Sequence, residues 1–392
     1  MSWDRDMRPH RAMDRVTAVC LVLIASVGGM VLGGFIGGVV LPPTPCSSTV
    51  IKGSFGLPTS PRSPPDVSGI AYDSGNGDIY AVETSYNSIA VVSSVTGLVV
   101  GNISLGPSNM LAVPTPLVYD PARGYIFVLA VHGVIVISDS TNRVVKHVSV
   151  PGQPTAGVYD ASSRNLFVAA GGGVYAVSDA DDSIVATPVL VELPASGASE
   201  APGVSAVTVD GSGRLYVIGY VGAPPSNLTV WRGDVPLQFS MTVVSTSDFS
   251  VLKSYPLSYG YYGSAYDTHD GALYLALGRL VRATGGASPF IPSSGFLIDQ
   301  MSTKSGEIIH TIYAFNKSLG AISYDPAGRC LLFASNDSLG VVAFAGGENS
   351  NLNLLPFPPH SGTVQQMLFA FNEARGCTYL SDGSGRIWVI SG

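Results

Sequence analysis

Charge is scarce in this sequence. Asp, Glu, Lys and Arg together make up 12% of its 392 residues, about half the usual share for a soluble domain. The formal net charge is −7, and no Lys- or Arg-rich run follows the first 15 residues. Nucleic-acid binding built on phosphate neutralisation is therefore not expected. The four cysteines, Cys20, Cys46, Cys330 and Cys377, form no Cys-x-x-Cys pair. His132, His147, His269, His310 and His360 include no two at metal-ligand spacing, so neither a zinc centre nor another metal is expected. A Gly-x-Ser-x-Gly elbow is absent, as is any glycine-rich loop between a strand and a helix, which leaves no serine nucleophile and no phosphate cradle to propose. No cofactor is implied.

One long apolar run is present. Residues 16–40 read VTAVCLVLIASVGGMVLGGFIGGVV without a charge, long enough as a helix to cross a ~30 Å hydrocarbon core. A cleaved signal peptide has a shorter apolar region and a small-residue cleavage site, whereas here Leu41-Pro42-Pro43-Thr44-Pro45 follows. An uncleaved anchor is expected at 16–40. Arg5, Arg8, Arg11 and Arg15 precede it, which places segment 1–15 in the cytoplasm and the bulk of the chain outside. Gly29, Gly33 and Gly37 recur every four residues on one helix face. Such a face suits close approach of a second helix, although a partnerless glycine-rich anchor would look the same. Residues 41–47 form a short proline-stiffened stalk.

Everything after residue 47 is built from a repeat without helical periodicity. A short apolar strand ends in aromatic-Asp, a turn follows, and a second apolar strand contains an aromatic residue. The unit appears as GIAYDSGNGDIYAVE (69–83), PLVYDPARGYIFVLA (116–130), AGVYDASSRNLFVAA (156–170), AVTVDGSGRLYVIG (206–219), SAYDTHDGALYLALG (264–278) and AISYDPAGRCLLFAS (321–335), with a degenerate copy at 367–382. Successive turn residues Asp73, Asp120, Asp160, Asp210, Asp267, Asp325 and Asn372 are 47, 40, 50, 57, 58 and 47 apart. A second hairpin follows each first one. Four strands per copy and seven copies predict an all-β, seven-bladed propeller over 48–392. The last copy stops after its third strand, so Thr49–Leu57 is expected to supply the fourth and close the ring. Closure would also bring Cys46 near Cys377, the expected disulfide, with unpaired thiols the alternative.

Segments such as VYDPARGYIFVLAVHGVIVISDSTNRVVKHVSVPG (118–152) resemble the YVTN-type propeller repeat of microbial cell-surface and surface-layer proteins. The resemblance implies a seven-bladed fold and a surface location, and it carries no catalytic residues. It weakens in copies four and five, which are stretched, and in copy seven, which lacks the Asp.

The repeated aspartates read as turn caps, one per blade, and not as a carboxylate ring. Two insertions are more suggestive. Blade four carries 219–239 and blade five 279–295; both follow a second strand and should rise from one face of adjacent blades. They bring together Tyr220, Trp231, Arg232, Arg279, Arg282 and Phe290, with Tyr261 and Tyr262 on the connection between these blades. Aromatic and arginine side chains on loops over a rigid scaffold suit glycan or protein recognition. Sequons occur at Asn102, Asn227, Asn316 and Asn336. The sequence thus predicts a membrane-anchored extracellular binding or envelope scaffold. The alternative is an extracytoplasmic propeller enzyme of the lactonase, lyase or quinoprotein kind, which an acid and histidine cluster at the central mouth would favour and an uncharged channel would count against.

Overall fold

Antiparallel pairing fixes the architecture before any side chain is considered. β1 (Val50–Gly56) lies against the last strand of the chain. Seven four-stranded sheets follow in sequence order. Blade 1 holds β2 (Val67–Tyr72), β3 (Asp78–Glu83), β4 (Ser88–Ser93) and β5 (Val99–Ser104). Blade 2 holds β6 (Leu117–Asp120), β7 (Tyr125–Ala130), β8 (Gly133–Ser138) and β9 (Arg143–Val148). Blade 3 is β10 (Pro154–Asp160), β11 (Asn165–Ala170), β12 (Gly173–Ser178) and β13 (Val189–Leu190). Blade 4 is β14 (Pro202–Val209), β15 (Arg214–Val221), β16 (Gln238–Ser245) and β17 (Val251–Leu257). Blade 5 is β18 (Tyr261–Asp267), β19 (Ala272–Leu277), β20 (Phe296–Ser302) and β21 (Ile308–Ala314). Blade 6 is β22 (Leu319–Asp325), β23 (Cys330–Ser335), β24 (Ser338–Ala343) and β25 (Asn351–Pro356). Blade 7 takes β26 (Leu368–Asn372), β27 (Cys377–Ser381) and β28 (Arg386–Ser391) from the end of the chain and β1 from its beginning.

The computed structural model describes residues 49–58, 66–107, 109, 111, 115–185, 189–190, 202–221, 238–258, 260–277, 296–314, 319–326, 328–335, 338–343, 351–356, 368–372 and 375–391. The expected cytoplasmic segment, anchor with its glycine face, and stalk fall outside these residues. Among the described residues no helix is long and apolar enough to cross a membrane.

Each buried cluster is one blade interface. One joins Tyr80, Val82 and Ile89 of blade 1 to Ile126, Val128 and Ile135 of blade 2. Others join blades 2 and 3, 3 and 4, 4 and 5, 5 and 6, and 6 and 7. The seventh sets Leu57, Val67 and Ile79 against Ala370, Tyr379 and Ile387, so blade 7 packs on blade 1 and the ring has no open side. Period-2 alternation makes this possible, because each strand sends alternate side chains to opposite neighbours. The inner strands approach closely: a Cβ on Gly69 would sit 1.9 Å from the carbonyl oxygen of Thr115 in the next blade.

The aspartates cap the first turn of their own blades. Oδ1 of Asp73 accepts from the backbone N–H of Gly75 at 2.7 Å; Asp120, Asp160, Asp210 and Asp267 repeat the bond, and Asp325 and Asn372 accept from the N–H three residues on. Where the residue before the Asp is a tyrosine, it has a second task, reaching back to the preceding blade. Tyr119, Tyr159 and Tyr324 have phenols beside Asp73, Asp120 and Asp267; burial first, then these carboxylates, push their ionisation well above the usual tyrosine range. Tyr266 stacks on Tyr216 at 6.0 Å.

Cysteine pairing differs from expectation. Cys377 carries a free thiol, which overturns Cys46–Cys377, while Cys330 is disulfide-bonded. Cys20 and Cys46 lie outside the described residues. Cys330 is buried in the cluster between blades 6 and 7 that also receives Ile51 of β1, whereas Cys377 is only half-buried at the start of β27.

Candidate functional site

Within every blade the first strand ends at the Asp turn, so the Asp turns share one face, called the lower face below. The connections between second and third strands leave from the opposite, upper face. β15 ends at Val221 and β16 begins at Gln238; β19 ends at Leu277 and β20 begins at Phe296. Both long connections therefore start and finish at the upper ends of adjacent blades. Trp231, Arg232, Arg279, Arg282 and Phe290, which they carry, lie outside the described residues, as do the side chain of Tyr262 and the sequons Asn227, Asn316 and Asn336.

The floor beneath these connections is described. β15 runs further than expected and takes in Gly219–Val221, so Tyr220 is a strand residue and not part of a loop. Its ring lies 6.3 Å from that of Phe239 and covers Gly203, where a Cβ would meet the Tyr220 Cζ at 2.3 Å. Burial raises its phenol above the usual tyrosine value. Tyr261, expected on an inter-blade connection, opens β18 and is fully buried. Burial takes its ring out of reach of a surface ligand and makes it a packing residue of the blade 4–5 interface. Its hydroxyl donates to Oδ2 of Asp299 at 2.5 Å, and Thr311 donates to Oδ1 at 2.6 Å.

Asp299 is a residue the sequence pattern alone does not bring forward. It is a buried carboxylate at the interface between blades 4 and 5, served by two hydroxyls. The signal was available: in Phe296–Ser302, FLIDQMS, it is the one charged residue of an apolar strand. A buried acid with dedicated donors is either a structural polar pin or a functional group, and its two hydroxyl partners favour the pin.

The central channel is lined by β2, β6, β10, β14, β18, β22 and β26. Their sequences contain no His, Lys, Arg or Glu, and their acids are the terminal turn-capping aspartates at the lower end. Short hydroxyls tie neighbours together around it: Thr155 donates to the Val204 carbonyl at 3.2 Å, Ser205 to the Tyr261 carbonyl at 2.7 Å, and Thr208 pairs with Ser264 at 2.7 Å. Among the described residues no group of three or more His, Cys, Asp or Glu side chains could hold a metal ion.

Among the described residues the histidines do not converge. His132 is exposed in the upper turn of blade 2, and His147 and His310 are exposed on outer strands. His269 is in a lower turn, where Arg329 of the next blade reaches its Nδ1 at 2.8 Å. His360 lies outside the described residues. Of the sequons, only Asn102 is described. It is exposed on β5, and its Nδ2 donates to the buried Glu83 at 3.2 Å. Burial raises the Glu83 carboxyl above the usual range, opposed by the Ser88 and Asn102 bonds.

No family model matches the chain, and no curated protein does. Among solved structures, a chain of Kuenenia stuttgartiensis hydrazine synthase is similar over 92% of this chain and 99% of its own, with a TM-score of 0.59 and 13% identity. At that identity the likeness speaks for the fold, and what it establishes is a seven-bladed β-propeller.

Proposed function

We propose that this protein is a membrane-anchored, extracytoplasmic propeller of the YVTN type that binds a glycan or protein partner through the upper connections of blades 4 and 5. The observation that carries the reading is topological: residues 222–237 and 278–295 leave the same face of adjacent blades, over a floor stiffened by Tyr220, Phe239 and the Tyr261–Asp299 bond. A rigid base under aromatic and arginine-bearing loops is the arrangement recognition sites use. The uncharged channel wall leaves the enzyme alternative without its supporting cluster among the described residues. The disulfide at Cys330 fits an oxidising compartment, where such bonds persist, and so supports placement outside the cytoplasm. Sequon glycosylation and self-association through Gly29, Gly33 and Gly37 belong to the same reading.

The test is a glycan-array and envelope-protein binding screen, repeated with Trp231→Ala and Arg282→Ala. Loss of a hit by roughly tenfold or more in either variant is expected, since aromatic and arginine anchors carry the largest interface energies. Unchanged binding in both would remove the blade 4–5 loops from the proposal.

A further inference from the structure

One position on the lower face recurs from blade to blade with different side chains. Ser94, Asp139, Asp179, Thr246 and Thr303 each follow the last residue of a third strand. The backbone N–H groups of the first four donate to the carbonyls of Gly77, Gly124, Arg164 and Gly213 at 3.2, 2.9, 3.1 and 2.9 Å, so these residues occupy equivalent places. Blades 1, 4 and 5 put a hydroxyl there, and blades 2 and 3 put a second acid beside the turn aspartate of the preceding blade. In blade 3 that acid is answered: Arg164 reaches Asp179 at 3.1 Å and Tyr159 donates to it at 2.7 Å. Blade 2 has Gly124 where Arg164 stands. A Cβ on Gly124 would fall 2.3 Å from Oδ2 of Asp139, so no side chain answers Asp139 from that place.

Asp139 faces Asp73 instead. Asp73 is fully buried; its Oδ1 takes the backbone N–H groups of Gly75 and Asn76 at 2.7 and 3.3 Å, and its Oδ2 meets no donor. The two carboxyl groups lie within hydrogen-bonding reach of each other. Both stand against Gly75, where a Cβ would be 3.1 Å from Oδ1 of Asp73 and 3.9 Å from Oδ2 of Asp139. The other titratable groups around the pair are Asp78 and Tyr80 of β3 and Tyr119 of β6, and none of these brings positive charge. The bases of blade 2 are placed elsewhere. Arg123 and Lys146 pair with Asp182 of blade 3 at 3.5 and 3.8 Å, and Arg143 is exposed on β9. A divalent cation such as calcium takes about six or more oxygen ligands. A proton needs only two, and it supplies what Oδ2 of Asp73 lacks.

We propose that Asp139 and Asp73 share a proton and form a pH-responsive latch between blades 1 and 2. With the proton held, Asp139 donates to Oδ2 of Asp73 and ties the blades together. Once it leaves, two carboxylates face each other across the join and weaken it. Burial first, then the Asp73 charge, raise the Asp139 carboxyl above its ordinary value, as expected for neighbouring acids in one site. A carboxyl raised in the folded state stabilises the fold fully below its unfolded value, about 4, and loses that contribution as pH rises through the folded value. The latch therefore tightens in acid and slackens toward neutral pH. It depends neither on the partner nor on the location proposed above.

The test is thermal unfolding of the full chain in detergent between about pH 4 and pH 8, for the parent and for Asp139→Asn. The amide is isosteric with the protonated acid and can donate to Asp73 at every pH. The variant should melt roughly 2 °C above the parent at about pH 8, and the gap should close as pH falls to about 4. Asp179→Asn, which breaks the ion pair with Arg164, should instead melt below the parent at about pH 8. Asp139→Ser, with the hydroxyl that blade 1 carries at Ser94, is the second variant. Its melting temperature should also rise relative to the parent as pH goes up, whatever fixed cost the smaller side chain brings. A gap that does not change with pH in either variant overturns the proposal, as does an Asp139→Asn protein that melts below the parent at about pH 8. Equal behaviour of Asp139→Asn and Asp179→Asn overturns it too. If millimolar calcium raises the parent's melting temperature at about pH 8 and Asp139→Asn abolishes that rise, the pair holds a cation and the shared proton is discarded.

Discussion

Two neighbouring blade interfaces solve the same problem with different residues. Between blades 2 and 3, the phenol of Tyr159 lies beside Asp120 of blade 2 and donates to Asp179 of its own blade at 2.7 Å. Between blades 3 and 4 the corresponding residue is Val209, which has no proton to give. There Asp160 takes the hydroxyl of Thr246, from the lower turn of blade 4, along with those of Ser162 and Ser163. The comparison teaches that hydroxyls from a turn can stand beside a buried turn aspartate where the tyrosine is missing. It also exposes a difference in quality. A phenol has one proton, so the second oxygen of Asp120 is left buried without a donor, as are those of Asp73 and Asp267. Asp160 is not in that position.

The largest break in the comparison comes from removing a turn aspartate at a tyrosine interface. Asp120→Ala strips the acceptor from the backbone N–H groups of Ala122 and Arg123, and should cost about 2 kcal/mol in urea unfolding. Asp120→Asn keeps the acceptor and turns an N–H₂ toward the Tyr159 oxygen. Its cost should stay below about 0.5 kcal/mol, and blade 7 already uses Asn372 at this position. If both substitutions cost the same, the second oxygen of Asp120 is better satisfied than the geometry indicates.

Tyr159→Phe comes next. It deletes a bond to the buried Asp179, which then keeps Arg164 at 3.1 Å as its remaining ion-pair partner. A loss of about 1.5 kcal/mol is expected for a hydrogen bond to a charged group, again read by urea unfolding. A neutral result would mean that Arg164 alone satisfies Asp179, and that the tyrosine is retained for packing.

These contrasts mark what could be read from the chain and what could not. Strand number, turn aspartates and the closing strand depend on local patterns repeated seven times, and repetition makes a weak local signal visible. The second role of the tyrosines was not legible, because its partner is 39 to 57 residues earlier, in another blade. The surroundings of Cys330 are not legible for a similar reason: its cluster takes in Ile51 from the first strand and forms only once the ring closes. Tyr220 reads as an insertion residue and Tyr261 as part of an inter-blade connection, yet both belong to strands. A strand continuing into an insertion carries no turn signal to mark its end. Asp299 shows the opposite failure, a lone acid in an apolar strand whose meaning needed the burial to be known.

The smallest expected effect lies at the interface that lacks a tyrosine, and pH makes it specific. Burial of Asp160 works against ionisation, but the hydroxyls of Thr246, Ser162 and Ser163 outweigh it and hold the carboxyl below its usual value. A carboxylate whose folded value is depressed stabilises the fold at pH above its unfolded value, about 4, and loses that contribution as pH falls through the folded value. Thr246→Val is nearly isosteric and removes the leading donor. At pH 7 it should cost about 1 kcal/mol. Because it moves the folded value upward toward the unfolded one, the difference from the parent protein should shrink as unfolding is followed from pH 6 down to about 2. A gap that stays constant over that range would place the cost in packing and not in the Asp160 charge. The same titration on Tyr159→Phe separates the two kinds of interface: a gap there with no acid dependence comparable to that of Thr246→Val would show that the phenol and the hydroxyl support their aspartates by different means.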